Sequence, residues 1–218
     1  MKKYFITGID TDIGKTFVSI GLCQSFKEKN INVGYFKPLQ SGAYLENGIL
    51  KAPDIEELKK YLSIPHGFSY LLKGEVSPYL ASKINSIKID TEKIKKDIEE
   101  FSSPLDVAII EGAGGLYCPF CENKTFADFI SEINIPAIIV ATPDLGRLNH
   151  ILMTLECAKF KKINVKGLII NKMPKNPTVS EKYFLEELKD FTDAEILCTI
   201  PKNCTGEELI SVFSKINL

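Results

Sequence analysis

The sequence predicts an α/β protein: a single domain, residues 1–218, with a doubly wound, mainly parallel sheet. Three observations predict it. Strand and helix patterns alternate from end to end, several strands are apolar throughout, and a glycine-bounded Gly-Lys-Thr turn joins the first strand to the first helix. At 218 residues the chain is long enough for one substantial core and short for two. A formal net charge of −1 argues against a protein that works by coating nucleic acid. No apolar run approaches the ~20 residues that span a bilayer. The start shows no signal-peptide pattern, so a cytoplasmic protein without a membrane partner is expected.

The first strand is the apolar run Tyr4-Phe5-Ile6-Thr7. It leads into Gly8-Ile9-Asp10-Thr11-Asp12-Ile13-Gly14-Lys15-Thr16, and a helical stripe over 16–29 follows at once. Strand, glycine turn, Gly-Lys-Thr and helix form the pattern of a phosphate-binding loop, the P-loop of nucleotide triphosphatases. Free N–H groups at a helix N-terminus attract a polyphosphate. Lys15 would reach the β/γ-phosphates, and the Thr16 hydroxyl would ligate Mg²⁺. The spacing is one residue longer than the usual motif, with Ile9 where its first glycine would fall. A turn that merely caps a helix is the bland alternative, and the flanking elements disfavour it.

A second short strand spans 33–36 and runs into Lys37-Pro38-Leu39-Gln40-Ser41-Gly42. Pro38 keeps Lys37 out of the αR region and Gly42 permits a tight turn, so Lys37 and Ser41 fall at the strand's C-terminal end. Residues 43–52 are polar and predict a loop. Pro53 and Asp54 open a helix over 55–62, with Asp54 suited to the cap or first turn. Residues 63–85, broken by Pro65, Gly67, Gly74 and Pro78, give no readable period. Asp90 and Thr91 cap a charged surface helix over 92–101.

Val107-Ala108-Ile109-Ile110 predicts a strand buried on both faces, ending at Glu111-Gly112-Ala113-Gly114-Gly115. A buried strand has little reason to end on a carboxylate unless a cation or donor answers it. A helix over 125–133 and an apolar strand over 136–141 follow. Leu145-Gly146-Arg147-Leu148-Asn149-His150 opens a helix to about 160, where His150 is expected to cap or pack. A strand over 167–171 ends on Asn171-Lys172-Met173-Pro174; then come a helix over 180–190, a strand over 196–200 with Pro201, and a short helix from Thr205. Polar punctuation at Lys15, Thr16, Lys37, Ser41, Glu111, Asn149 and Asn171 falls where strands end, the edge that binds ligands in such sheets. Of six cysteines, Cys118 and Cys121 form a C-x-x-C. No second Cys or His pair stands at ligand spacing, so two incidental thiols are expected there.

Four motifs in register resemble the ATP-dependent dethiobiotin synthetase family of biotin biosynthesis, over nearly the whole chain. The loop is similar to the family's G-T-D-T-x-V-G-K-T, extra residue included. Lys37 to Gly42 is similar to K-P-x-x-S/T-G, Glu111 to Gly115 to E-G-A-G-G, and Leu145 to His150 to L-G-x-x-N-H. The resemblance implies ATP-driven carboxylation and ring closure of 7,8-diaminopelargonate with CO₂ or bicarbonate, through a carbamate and a carbamic–phosphoric anhydride. It implies Lys37, Lys15 and Thr11 as catalytic residues. The nucleotide would contact Asp12, Ile13, Gly14, Lys15, Thr16, Phe17, Asp54, the Glu111, Gly112, Ala113 and Gly114 turn, Asn171, Lys172 and Pro201. Thr16, Asp54 and Glu111 would hold Mg²⁺. Substrate would meet Thr11, Lys37, Ser41, Gly112, Leu145, Gly146, Leu148 and Asn149, the last four from a second subunit of a homodimer.

The chain departs from the family in reading Asn171-Lys172 where many members read Asn-Asp, and in its short segment after Pro201. Both point to weaker discrimination between ATP and other triphosphates. A partitioning or nitrogenase-type regulatory ATPase is the rival reading. Those proteins carry a further lysine near the loop's start, where this chain has Asp10.

Overall fold

A computed structural model describes residues 1–216 and 218. In chain order the elements are β1 (Lys2–Gly8), α1 (Lys15–Glu28), β2 (Val33–Gln40), the hairpin strands β3 (Tyr44–Glu46) and β4 (Ile49–Lys51), α2 (Pro53–Tyr61), β5 (His66–Leu71), α3 (Pro78–Ile84) and α4 (Thr91–Ser102). Then follow β6 (Val107–Glu111), a second small hairpin of β7 (Pro119–Cys121) and β8 (Lys124–Thr125), α5 (Phe126–Ile133), β9 (Ala137–Ala141), α6 (Arg147–Phe160), β10 (Val165–Met173), α7 (Val179–Phe191), β11 (Ile196–Pro201) and α8 (Gly206–Ser214). Seven strands form one sheet in the order β11-β10-β9-β1-β6-β2-β5, and every neighbouring pair is parallel.

Alternation along β1 shows how the chain makes two cores. Phe5 faces one side with α4 and α5, while Tyr4 and Ile6 face the other with α1, α2 and α8. Phe5, Ile6, Ile109, Ile110, Ile138, Ile139, Leu168 and Ile169 are fully buried. Each such side chain contributes roughly 1.5–3 kcal/mol over its exposed state. A third cluster joins β9 and β10 to Ile151 of α6 and to Phe184 and Leu188 of α7. Helices therefore cover both faces, and the strand order runs outward in opposite directions from the centre. The crevice at such a reversal, beyond the strands' C-terminal ends, is where ligands bind. Among the described residues, no helix is long and apolar enough to cross a membrane.

The structure changes three expectations about elements. β2 continues to Gln40, through Pro38; its register with β6 stops at Phe36↔Ile110, and Pro38 has no partner in either register. Its missing N–H therefore costs the ladder nothing. The loop expected over 43–52 contains the β3–β4 hairpin, exposed along most of its length. The unreadable stretch 63–85 supplies edge strand β5 and helix α3, which is capped by Ser77, whose side chain accepts the Leu80 N–H.

Candidate functional site

The phosphate loop is assembled from an exposed turn on a buried base. Ile13, 2% exposed, anchors it from below, while Asp12 and Gly14 take positive φ of 55° and 90°. Gly14 has a second reason to be glycine: a Cβ there would stand 2.3 Å from Asn171 Nδ2. From behind, Asn171 Nδ2 donates to Ile13 O at 2.9 Å and Lys172 Nζ donates to Asp12 O at 2.6 Å. The end of β10 is thus stapled to two consecutive carbonyls of the loop. Gly14 is the N-cap of α1 and offers no side chain to the helix's first N–H groups, and no acid stands in the first turn. α6 is built likewise, on Gly146 at φ 87°. By contrast α3, α4, α5 and α7 carry side-chain caps. The first turn of α1 thus meets the loop without a side-chain cap, whereas in α6 the Arg147 N–H is taken by Asp144 O at 3.0 Å.

Beside the loop lies a cleft of about 440 Å³, lined by Thr11, Asp12, Gly14, Lys15, Thr16, Lys37, Gln40, Ser41, Asp54, Glu111, Ala113 and Gly114. At its floor Glu111, 1% exposed, accepts four hydrogen bonds. Oε1 takes Thr16 Oγ1 at 2.9 Å and Lys37 Nζ at 2.8 Å; Oε2 takes Ser19 Oγ at 2.7 Å and Tyr35 OH at 3.1 Å. The cation and donors that a buried terminal carboxylate requires are all present. Lys37 Nζ also reaches Asp54 Oδ2 at 2.6 Å and Gly112 O at 2.9 Å. Burial alone would lower the Lys37 pKa, but Glu111 and Asp54 outweigh it and hold the ammonium above its ordinary value. Lys15 differs: burial lowers it to about 8, with Glu111 opposing, and its Nζ rests on Asp10 O at 2.7 Å.

Asp54 and Glu111 converge on the Lys37 ammonium, and the Thr16 hydroxyl donates to the same Glu111 oxygen, so three hard-oxygen groups belong to one network in the cleft. That set suits Mg²⁺, which keeps waters and phosphate oxygens in its other positions. Among the described residues no three of His, Cys, Asp and Glu gather as a metal site, so a closed protein cage is absent from them. Cys118 and Cys121 are free thiols, as are the other four cysteines.

The remaining candidates stand around this centre. Phe17, 36% exposed, faces a groove of about 260 Å³ between α1, α2 and α8. Pro201 ends β11 opposite Met173. Leu145, Gly146, Leu148 and Asn149 gather at the start of α6, outside the cleft, with Leu145 87% exposed. A second trough of about 490 Å³ opens from Thr11 and Gly114 along Ile9, Leu116, Tyr117, Met153 and Cys157. His150 lines that trough and neither caps α6 nor packs in a core. Sequence reasoning missed Ser19, Tyr35, Gln40, Asp10 and Arg147. Tyr35 lies two residues before Lys37 on one strand, and Ser19 three after Thr16 on one helix, so periodicity alone could have joined them to the site.

A lysine and a hydroxyl on a glycine-capped helix, facing two carboxylates across the C-terminal edge of a parallel sheet, define a P-loop nucleotide triphosphatase. Solved structures agree on the fold: a septum site-determining protein of Pyrococcus horikoshii, complexed with Mg-ADP, has a TM-score of 0.65 at 15% identity, covering 98% of this chain and 93% of its own. A ParA family ATPase from Chlorobium tepidum has a TM-score of 0.59 at 15% identity, covering 99% and 92%. The model of the AAA domain family matches residues 2–207. Among curated relatives, the ATP-dependent dethiobiotin synthetase of Clostridium perfringens is 35% identical over 92% of this chain and 91% of its own. That of Thermodesulfovibrio yellowstonii is 34% identical over 96% and 95%, and that of Fusobacterium nucleatum 38% over 78% and 78%. The chain belongs to the ATP-dependent dethiobiotin synthetase family.

Proposed function

We propose that residues 1–218 act as one domain that carboxylates and cyclises 7,8-diaminopelargonate at the expense of ATP, using the cleft between Lys15 and Lys37. One amine takes up CO₂ and loses a proton, leaving a carbamate. A carbamate oxygen displaces ADP from the γ-phosphorus, giving a carbamic–phosphoric anhydride. The second amine attacks the carbonyl carbon and expels phosphate, closing the ureido ring. Such transfer needs positioning and charge neutralisation more than covalent help from the protein. Lys15 and the open N–H groups of α1 hold the β/γ oxygens. Lys37 steadies the carbamate against the γ-phosphate; Thr11 and Ser41 hydrogen-bond the carbamate and an amine. Thr16, Asp54 and Glu111 would hold Mg²⁺, which supplies neutralisation of phosphate charge when bound.

The observation that carries this reading is a second buried lysine in the phosphate cleft. A switch ATPase of the rival class carries its further lysine near the start of the loop; this chain has Asp10 there and brings its second ammonium, Lys37, from β2 instead. The apolar trough beside Thr11 suits an alkyl chain, and the start of α6, which no side chain caps, suits its terminal carboxylate. Leu145, in the turn before α6, and Met153 and Phe160 on the helix expose apolar surface, which supports a homodimer through that helix. Free thiols throughout the described residues suit a cytoplasmic, reducing setting. The test is to supply diaminopelargonate, bicarbonate and MgATP and to weigh the product. Dethiobiotin with stoichiometric ADP is expected; ADP without a ureido product would overturn the reading. A monomer at working concentration in sedimentation would remove the dimer.

A further inference from the structure

The sequence contains 26 lysines and one arginine. That arginine, Arg147, is the first residue of α6. Its Nη1 donates to Asp10 Oδ2 at 2.7 Å and lies 3.1 Å from His150 Nδ1. Asp10 is a hub of the phosphate loop. Its Oδ1 accepts the Thr11 N–H at 2.8 Å, and its backbone carbonyl accepts Lys15 Nζ at 2.7 Å. One guanidinium therefore fixes the residue that orients both Thr11 and Lys15. Hydrogen bonding from Arg147 also holds the Asp10 carboxyl below its ordinary pKa, so the pair is charged on both sides at neutral pH.

We propose that Arg147 is a positioning residue for nucleotide binding, setting the form of the phosphate loop through Asp10. The inference rests on the nucleotide reading of that loop. Magnitudes favour geometry over stability as its purpose. The two side chains are 28% and 45% exposed, and exposed ion pairs contribute only about 0–1 kcal/mol. A chain that meets every other cationic need with lysine keeps its one planar, permanently charged fork here, where orientation matters. The contact also explains why the loop carries an acid at residue 10. A lysine there would face Arg147 and Lys15 with like charge. Among the described residues the only hydrogen-bond partners of the Arg147 side chain are Asp10 and His150, both through Nη1. It thus ties the start of α6 to the loop at Asp10, a second tether beside that of Lys172 on Asp12.

The test compares Arg147→Gln, Arg147→Lys, Asp10→Asn and the Arg147→Gln/Asp10→Asn double variant. ATP affinity is read by calorimetry, kcat and KM for both substrates by dethiobiotin formation, and folding by melting temperature. Arg147→Gln and Asp10→Asn should each weaken ATP binding or kcat/KM for ATP by roughly tenfold to a hundredfold, the scale on which a misplacement of about 1 Å acts. The double variant should lose no more than either single one, Arg147→Lys should recover part of the loss, and melting should not move. Unchanged ATP binding, or fully additive losses, would overturn the proposal. A rise in KM for the diamine alone with Asp10→Asn silent would make Arg147 a substrate ligand instead. Calorimetry reads the loop without the reaction, so failure of the dethiobiotin reading would leave this outcome separately decidable.

Discussion

Lys15 and Lys37 share a cleft and solve burial in opposite ways. Lys15 is desolvated and only partly compensated, so its pKa falls to about 8. Nucleotide phosphates would favour its charged form, so ATP binding should draw in a proton as pH rises past 8, with affinity declining there. Calorimetry in buffers of differing ionisation enthalpy reads that uptake; binding independent of pH from 7 to 9 would sink it. The stability sign is opposite to a salt bridge. With the folded pKa below the unfolded value, the cost of burying Lys15 is fully present below pH 8 and is relieved as pH rises toward about 10.5. Lys37 is compensated, by two carboxylates. Lys37→Ala should abolish turnover, and because it strands Glu111 as a buried charge it should also destabilise the fold by about 3–5 kcal/mol. Lys37→Met with Glu111→Gln should recover most of that stability and none of the activity, as denaturant titration and product assay would show.

At the scale of elements, the phosphate loop depends on what stands behind it. Asn171 gives Nδ2 to Ile13 O and takes the Lys172 N–H on Oδ1 at 2.9 Å, so much of its amide is committed before a base arrives. GTP and CTP should therefore compete with ATP more effectively than a dedicated adenine reader would allow; strong ATP preference in a competition assay would refute this. The long, apolar elements were legible in the sequence because burial on both faces leaves continuous runs such as Val107 to Ile110. β5 was not, because an edge strand with one open side shows no such run, and Gly67 and Pro65 mimic a loop. Pro38 misled by its usual meaning, since it breaks a strand only where a neighbour needs its N–H. Lys15, Thr16, Lys37 and Glu111 were visible as polar residues ending apolar strands. The Asp10–Arg147 pair was not, because its partners stand 137 residues apart and neither interrupts an apolar run.

For the whole molecule, the strand order decides what each part of the site can tolerate. β1, which carries the loop, sits fourth of seven, with β9 and β6 on its flanks and helices over both faces. β6, which carries Glu111, is its direct neighbour, and Lys37 comes from the next strand outward. Pro201 ends β11, an outer strand whose residues are mostly half-buried. Amide exchange should follow that order. β1, β6 and β9 should exchange only on global unfolding, while β5 and β11 should open locally and faster; uniform protection across the sheet would contradict it. The consequence concerns time as much as shape. The phosphate end of the site should keep its form for as long as the protein stays folded, whereas a base held against Pro201, as proposed, would rest on a strand that breathes, so a nucleotide could change its grip at one end without loosening it at the other.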